Sequence, residues 1–271
     1  MALATAAMSS PRDAYYWRLL ATAASFALFG LGCLCLGLLV FPLLARLPGG
    51  TARHRQRARH TISWLFWRFV RFMQRVGVLT YHIDGAERLG RPGQMIIANH
   101  PSLIDVVFLI GLVRQANCVV KQTLFDNPFT RGPIREAQYI GNDGSVEMLD
   151  NAVQSLHQGQ PLIIFPEGTR TPPGQAPAFH RGAAAIALRG AKIITPVVIT
   201  VSPTTLTKNE PWYRIPARRV HFTLRVGADI DPLAFAAQGP APQASRRLND
   251  YLHQYYNKEL ADERATARPQ P

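Results

Sequence analysis

The feature that most limits how this chain can fold is an N-terminal stretch without a charged residue. From Leu19 to Ala45, 27 consecutive positions lack Asp, Glu, Lys and Arg. As a helix this stretch would be about 40 Å long, which exceeds the roughly 30 Å hydrocarbon layer of a bilayer. Pro42 should mark or kink its exit, and Pro48-Gly49-Gly50 should end it. We predict an N-terminal transmembrane helix.

Charges on either side of the stretch predict which way it faces. Two arginines precede it and five follow it: Arg12 and Arg18, then Arg46, Arg53, Arg55, Arg57 and Arg59. Because cytoplasmic flanks carry the excess of positive charge, we expect the remainder of the chain to be cytoplasmic. A cleaved signal peptide would carry its basic residues first and have a shorter apolar core. A buried core helix would be shorter and would have a polar face.

The next segment, residues 63–76, has the pattern of an amphipathic helix. Its basic face carries Arg68, Arg71 and Arg75, and its apolar face carries Leu65, Phe66, Phe69, Phe72, Met73 and Val76. Large aromatic side chains opposite guanidinium groups fit a helix that lies in the lipid interface. The same pattern fits a helix docked on the domain, and the two arrangements are compatible with each other.

Composition narrows the class of protein. The 271 residues are 47% hydrophobic and 17% charged, which fits a folded chain of one or two domains, and the formal charge is +13. A basic excess suits nucleic acid, anionic lipid or acidic small substrates. We find no nucleic-acid-binding motif and expect no nucleic-acid partner. Cys33, Cys35 and Cys118 lack metal-ligand spacing, so we interpret them as small buried apolar residues.

Strand-like and helix-like runs alternate after residue 78. The predicted strands are Leu79–Ile83, Gln94–Ala98, Cys118–Lys121, Pro161–Phe165, Ile193–Val201 and Val220–Val226. The predicted helices are Leu103–Arg114, Val146–His157 with Ser145 as N-cap, and Arg181–Arg189. This alternation predicts an α/β fold with a central mixed sheet flanked by helices.

We divide the chain into four segments. Residues 1–50 are the membrane anchor, 51–78 a basic amphipathic helical segment, 79–235 the α/β domain, and 236–271 a C-terminal helix and tail. Within the last segment, Gly239–Pro242 should be a linker and Ala244–Glu263 a surface helix, with a frayed tail after it.

Two polar strings follow apolar strands. His100 and Asp105 lie at a predicted strand-to-helix turn, with Pro101 and Ser102 in the turn and the first helical positions. A carboxylate that accepts a hydrogen bond from one imidazole nitrogen leaves the other basic, as in a general-base pair. The non-catalytic alternative is that His100 only forms hydrogen bonds within its loop, and that Asp105 only offsets the partial positive charge at the start of the helix.

The second string is Phe165-Pro166-Glu167-Gly168-Thr169-Arg170. A carboxylate, a glycine, a hydroxyl and a guanidinium in one tight loop can hold a phosphorylated acceptor. Gly168 permits close backbone approach, and Arg170 offers a planar fork suited to phosphate oxygens. Glu167 could orient Arg170 or hold a substrate hydroxyl.

Together these strings resemble the signature blocks of the glycerophospholipid acyltransferases, the 1-acyl-glycerol-3-phosphate acyltransferase family. Asn99-His100 with Asp105 resembles the first block, and Phe165–Arg170 resembles the third. Ile194–Ile199 resembles the apolar, proline-containing fourth block, and Phe179–Ala183 resembles the helix start before it. The similarity covers roughly residues 81–201.

The resemblance implies a membrane-bound O-acyltransferase without metal or cofactor. His100, oriented by Asp105, would deprotonate an acceptor hydroxyl that attacks an acyl thioester directly. The donor would be acyl-CoA or acyl-carrier protein, and the acceptor a lysophospholipid, most directly 1-acyl-glycerol-3-phosphate. The partners would be membrane lipids, and the location a bacterial inner membrane with one N-terminal span and the catalytic domain on the cytoplasmic face.

The resemblance also implies an acceptor site. Arg170, with Lys121 by analogy, would bind the acceptor's phosphate, and Glu167 and Gly168 would shape the glycerol site. One position departs from the family pattern: Asn142 stands where the second block usually has an arginine. Losing one guanidinium near a phosphate costs about 1.5–3 kcal/mol. Either Arg131 or Arg135 compensates, or the acceptor is another lipid of a specialised pathway.

Two other classes of function remain open. A metal-dependent hydrolase could use His100, Asp105 and Glu167 as ligands, although their spacing matches no metal motif. A non-catalytic membrane module could bind anionic lipid through the arginines at 53–59 and the helix at 64–76. That second reading leaves the two polar strings unexplained.

Overall fold

The computed structural model describes residues 14–237 and 239–266. Its first element is one continuous apolar helix, made of α1 (Tyr15–Cys35), a π-helical turn (Leu36–Val40) and α2 (Phe41–Ala45). This 31-residue helix is long and apolar enough to cross a membrane. The chain then breaks at Pro48-Gly49 as predicted, and α3 runs over Gly50–Arg75. Arg12 and the predicted frayed tail, residues 267–271, lie outside the described residues.

A seven-stranded mixed sheet forms the centre of the molecule, which confirms the predicted fold class. Its strands are β1 (Leu79–Asp84), β2 (Gln94–Ala98), β3 (Asn117–Lys121), β4 (Ile140–Asn142), β5 (Leu162–Ile164), β6 (Ile193–Ser202) and β7 (Val220–Val226). Their order is β1-β7-β6-β2-β5-β3-β4. The β6–β7 pair is antiparallel and the other neighbours are parallel.

The remaining α-helices lie between the strands along the chain, except for the last two, which follow β7. They are α4 (Asp105–Leu112), α5 (Arg131–Glu136), α6 (Val146–His157), α7 (Arg181–Gly190), α8 (Leu233–Ala236) and α9 (Ala241–Thr266). The N-cap prediction is confirmed, because the Oγ atom of Ser145 accepts a hydrogen bond from the amide of Met148 at 3.0 Å. The predicted linker at 239–242 was wrong in its second half, because α9 already begins at Ala241.

Side chains of β2 alternate between two cores. Ile96 and Ala98 face the core that also contains Ile62 of α3 and Phe108 of α4. Met95 and Ile97 face the opposite core, under α6, α7 and α9. A strand that is buried on both faces has a continuous run of apolar residues, and Gln94–Ala98 has one after its first residue.

The apolar helix lies against the domain over much of its length. Near its start, Nε1 of Trp17 donates to the carbonyl of Val76 at 2.8 Å. Farther along, the ring of Phe29 lies 5.4 Å from that of Phe69 on α3. Near its end, a β-carbon at Gly37 would lie 3.3 Å from Cα of Gly132. The opposite face exposes large apolar side chains, namely Leu20, Leu28, Leu31, Leu38, Leu39 and Leu43.

The structure also places the amphipathic segment and the cysteines. Val70 and Met73 of α3 are buried against the domain, so this face is docked; contact with lipid stays a prediction. Cys33 and Cys118 are buried as expected. The interpretation of Cys35 as buried was wrong, because it lies on the exposed face of α1.

Candidate active site

The candidate site lies where β2 ends and α4 begins. The Nδ1 atom of His100 lies 2.9 Å from Oδ2 of Asp105, as the spacing predicts. The same oxygen accepts the amide of Ser102 at 2.7 Å. Residues 101–104 form the turn and Asp105 is the first residue of α4, so the predicted helix start at Leu103 was two residues too early. The turn is what directs the carboxylate back toward the imidazole.

Burial controls the electrostatics of this pair. Asp105 is fully buried, and burial raises the pKa of its carboxyl group, whereas the bonds from His100 and Ser102 lower that pKa. The imidazole of His100 is partly exposed and stacks on the ring of Phe165, with centroids 4.4 Å apart. The ring is therefore held on one face and at Nδ1, while its Nε2 atom is left for a substrate.

The loop that carries Glu167 holds the backbone of His100. The Oε1 atom of Glu167 accepts the amide of His100 at 2.8 Å, and the amide of Thr171 donates to the carbonyl of His100 at 2.9 Å. Burial raises the pKa of Glu167 to about 7. Sequence reasoning expected this carboxylate to orient Arg170 or hold a substrate hydroxyl, and it did not foresee the bond to His100.

Arg170 points toward the connection between β6 and β7. Its Nη1 atom donates to the carbonyls of Leu206 at 2.7 Å and Thr207 at 3.0 Å. Arg170 is still close enough to Asp105 to lower the pKa of that carboxyl group. The guanidinium keeps further N–H groups for an anion, since these two bonds use a single nitrogen.

The other predicted acceptor residues lie along the same edge of the sheet. Lys121 and Asn142 end β3 and β4, where they are register partners, and both are exposed. Thr169 is also exposed. Arg135, one of the two arginines considered as compensation for Asn142, lies on α5 and donates to the carbonyl of Phe125 at 3.5 Å. Arg131 is the first residue of the same helix.

Gly168 lies between the side chain of Asn142, which the sequence places at the acceptor site, and that of His180, which the sequence did not mark as a site residue. A β-carbon at this glycine would lie 3.6 Å from Cδ2 of His180 and 3.7 Å from Nδ2 of Asn142. Its φ of +64° is one that glycine adopts without strain. The only sequence signal for His180 was its position directly before α7, which we interpreted as a helix start.

Side chains also complete the seam between β2 and β6 below His100. The side-chain amide of Asn99 donates to the carbonyl of Ile199 and accepts its amide, both at 2.8 Å. The hydroxyl of Tyr256, from α9, donates to the carbonyl of Ile97 at 2.6 Å and accepts the amide of Val197 at 3.1 Å. No local pattern in the sequence pointed to Tyr256.

A large apolar cavity opens beside the pair. Its volume is about 720 Å³, and it is bounded by α1, α3, α4 and the loop after β6. Leu103 and Ile104, which belong to the turn after His100, line one part, and Phe26 and Trp212 line another. This volume lies in the usual range for sites that enclose small molecules.

The described residues contain no cluster of three His, Cys, Asp or Glu side chains arranged to hold a metal ion. The site instead offers an imidazole–carboxylate pair, an apolar cavity, and the basic side chains of Lys121 and Arg170, which we call the basic edge. This combination can remove a proton from a hydroxyl, hold an anion and enclose an aliphatic chain.

Comparison with known proteins gives concordant matches. A family model described as Acyltransferase matches residues 80–200. The 1-acyl-sn-glycerol-3-phosphate acyltransferase of Pseudomonas aeruginosa is 26% identical over 79% of this chain and 84% of its own length. The lyso-ornithine lipid O-acyltransferase of the same organism is 28% identical over 65% and 67%. The crystal structure of the 1-acyl-sn-glycerophosphate acyltransferase from Thermotoga maritima superimposes with a TM-score of 0.73 at 21% identity, covering 94% of this chain and 98% of that one.

Proposed function

Because this chain belongs to the glycerophospholipid acyltransferase family and is an O-acyltransferase, we propose that it acylates a hydroxyl of a lysophospholipid, most directly 1-acyl-glycerol-3-phosphate. The acyl donor is a thioester, either acyl-CoA or acyl-carrier protein. The observation that carries the proposal is the 2.9 Å contact between His100 and the buried carboxylate of Asp105.

The pair acts as a general base. Nε2 of His100 takes the proton of the acceptor hydroxyl while its oxygen attacks the thioester carbonyl, and Asp105 stabilises the imidazolium that forms. An ester C–O bond forms, the C–S bond breaks, and the proton passes from His100 to the departing thiolate. No covalent acyl-enzyme is needed.

The cavity and the basic edge bind different parts of the substrates. The apolar cavity beside Leu103 encloses an acyl chain, because it is bounded by apolar side chains and adjoins the turn of His100. Lys121 and the free N–H groups of Arg170 bind the anionic group of the acceptor. Gly168 brings backbone close to the glycerol portion.

A second acceptor class has its own support. At the turn of Gly168 the neighbouring side chains are an amide, Asn142, and an imidazole, His180, rather than a guanidinium. A site with fewer fixed positive charges discriminates less against acceptors without a phosphomonoester. The similarity to a lyso-ornithine lipid O-acyltransferase points the same way.

We infer that the apolar helix attaches the enzyme to a membrane with the domain on the cytoplasmic face, because arginines follow the helix and cytoplasmic flanks carry the excess of positive charge. In the structure the apolar helix packs along the domain, and we call this the docked arrangement. Both ends of the helix then lie beside the domain, and its exposed leucines face lipid. The single span expected from the sequence would instead separate the N-terminus from the domain across the bilayer.

The test is the acyl lipids formed by purified protein from a panel of lysolipids and both thioester donors, analysed by mass spectrometry. His100→Ala should lower turnover by about 10²–10⁴-fold while expression and membrane association stay normal. Near-normal turnover in that variant would reject the mechanism. Activity that requires a divalent ion and is lost in a chelator would favour a metal-dependent hydrolase. Lipid binding without a thioester-dependent product would favour a non-catalytic module.

A further inference from the structure

The connection between β6 and β7, residues 203–219, exposes aromatic and basic side chains together. We call it the β6–β7 loop. Trp212 is 42% exposed and Tyr213 is 60% exposed, which is unusual for such large side chains on a surface that stays in water. The loop has four basic residues and one acidic residue, a formal charge of +3: Lys208, Arg214, Arg218 and Arg219 against Glu210. Glu210 already accepts hydrogen bonds from the amide and the hydroxyl of Thr207.

The β6–β7 loop is fastened to the start of the apolar helix. Arg18, which is 2% exposed, donates to the carbonyls of Pro216 at 3.0 Å and Ala217 at 2.6 Å. The ring of Trp212 lies 5.8 Å from that of Phe26. These contacts join residues almost 200 positions apart, so the loop and the helix start form one surface.

Aromatic residues of the helix belong to the same surface. Tyr16 and Trp17 are 78% and 56% exposed. Trp17 donates to the carbonyl of Val76, and a β-carbon at the following residue, Gly77, would lie 3.2 Å from the guanidinium of Arg219. We call the set Tyr16, Trp17, Trp212, Tyr213 and Arg214 the aromatic–basic patch.

We propose that the aromatic–basic patch rests in the headgroup layer of an anionic bilayer, as a membrane contact additional to the apolar helix. Tryptophan and tyrosine favour this layer because their rings have an apolar body and a polar tip. Basic side chains near the surface attract anionic lipids, each by about five-fold in binding. An acidic protein would match the charge of the patch but not the exposed leucines of α1 next to it, which need hydrocarbon.

This contact connects the bilayer directly to the reaction site. The carbonyl of Leu206 accepts both the amide of Leu103, at 3.2 Å, and the guanidinium of Arg170. Trp212 and Pro216 also line the apolar cavity. The loop that touches lipid is thus the loop that holds the proposed anion-binding arginine and bounds the chain-binding cavity.

The test measures the depth of Trp212 in a membrane. Full-length protein and Trp212→Phe are reconstituted in vesicles of phosphatidylcholine and phosphatidylglycerol with brominated acyl chains, and the difference in emission isolates Trp212. As a matched control, Val146→Trp in the Trp212→Phe background places a tryptophan on α6, which packs on the opposite face of the sheet. Val146 is 71% exposed.

We expect brominated lipid to quench Trp212 and lipid to shield it from iodide, with the reverse for the tryptophan at 146. Emission of Trp212 that iodide quenches and bromine does not would overturn the proposal. Protection of Trp212 from iodide by acyl-carrier protein, without quenching by brominated lipid, would also overturn it and would assign the patch to a protein partner. The proposal rests on the membrane attachment proposed above but not on acyl transfer, so His100→Ala should give the same quenching.

Discussion

At the scale of single residues, His100 is held on several sides before any substrate arrives. Its amide donates a hydrogen bond to Glu167, and its carbonyl accepts one from the amide of Thr171. Its Nδ1 atom is hydrogen-bonded to Asp105, and its ring is stacked on Phe165. In the proposed function, little conformational freedom would remain to be lost when a hydroxyl binds at Nε2. A base positioned in this way needs no reorganisation during proton transfer.

Asp105→Asn should test the role of the buried carboxylate. The amide can keep one hydrogen bond to the turn but cannot stabilise an imidazolium, so turnover should fall by about 10²–10⁴-fold. The measurement is kcat with the preferred lysolipid, alongside thermal unfolding to verify folding. Asp126→Asn changes an exposed carboxylate and should leave kcat unchanged. A kcat within a few-fold of the unmodified enzyme would show that Asp105 does not assist His100.

Glu167→Gln should make stability less sensitive to pH. The pKa of Glu167 rises from its ordinary 4.5 to about 7 in the folded protein, so the folded state holds this proton more tightly than the unfolded state. Raising the pH from 4.5 to 8 therefore destabilises the unmodified protein, by about 3 kcal/mol from this group. Glutamine keeps an oxygen for the amide of His100 but does not ionise.

The measurement for this variant is unfolding in detergent at both pH values. Relative to the unmodified protein, Glu167→Gln should be close to equal in stability near pH 4.5 and more stable at pH 8. An equal difference at the two pH values would contradict the raised pKa.

Asn142→Arg should shift the choice of acceptor. A guanidinium beside Gly168 adds a charge-assisted bond to a phosphomonoester, which is worth about 1.5–3 kcal/mol. The ratio of kcat/KM for lysophosphatidate to that for a zwitterionic lysolipid should therefore rise about ten-fold or more. Val146→Arg adds the same charge on the exposed start of α6 and should leave the ratio unchanged. If both variants change the ratio equally, the effect is one of net charge and not of the site.

Much of the geometry of this site could be predicted from two short motifs, because the contact between His100 and Asp105 depends on a local spacing. The same is not true of the partners that hold them. Glu167 reaches the amide of His100 across 67 positions, and Arg170 reaches a loop 36 positions away. Such bonds depend on which strands are neighbours, and a single sequence does not state the strand order.

At the scale of elements, the pairing of β2 with β6 is completed by a side chain from α9. Pro196 of β6 has no amide hydrogen, and at the next residue the hydroxyl of Tyr256 stands between the amide of Val197 and the carbonyl of Ile97. Because β2 ends at Ala98, this bridge at Ile97 lies three residues before His100. The C-terminal helix therefore supports the strand that leads to His100, the proposed base.

Tyr256→Phe should destabilise the protein by about 1–3 kcal/mol, since removing the hydroxyl leaves buried backbone groups without partners. Chemical unfolding in detergent measures the change. Tyr251→Phe removes a hydroxyl from an exposed position of the same helix and should have no measurable effect. Equal stability of the two variants would show that the strands close without the hydroxyl.

The elements themselves were predictable to different degrees. Val220–Val226 and Val146–His157 were predicted at their observed bounds, because a strong periodicity and, for the helix, a capping serine mark them. β4 was not predicted, since three residues that include a glycine and an asparagine carry no strand signal. α5 was also not predicted, because Gly132 and Pro133 disfavour a helix on their own. Its contacts with the π-helical turn of the apolar helix, where Gly132 meets Gly37, are tertiary.

At the scale of the whole molecule, the apolar helix is part of the catalytic body. The domain borders it from Trp17 to Gly37, about 30 Å of helix at about 1.5 Å per residue. A helix that stood upright across the bilayer with these contacts intact would draw the bordering face of the domain into the hydrocarbon. A helix lying along the membrane surface keeps the contacts and presents its exposed leucines to lipid.

The two arrangements place the N-terminus on different sides of the membrane. With the docked helix, epitope tags before Met1 and after Pro271 should both be cleaved by protease in vesicles whose cytoplasmic face is outward, and both be protected in vesicles of the opposite orientation. With a single span, the two tags should show opposite protection. The C-terminal tag reports the orientation of the domain in the same sample, so each preparation carries its own control. Opposite protection would mean that the helix leaves the domain and crosses the bilayer, and that the contacts of Arg18 with the β6–β7 loop are not formed in the membrane.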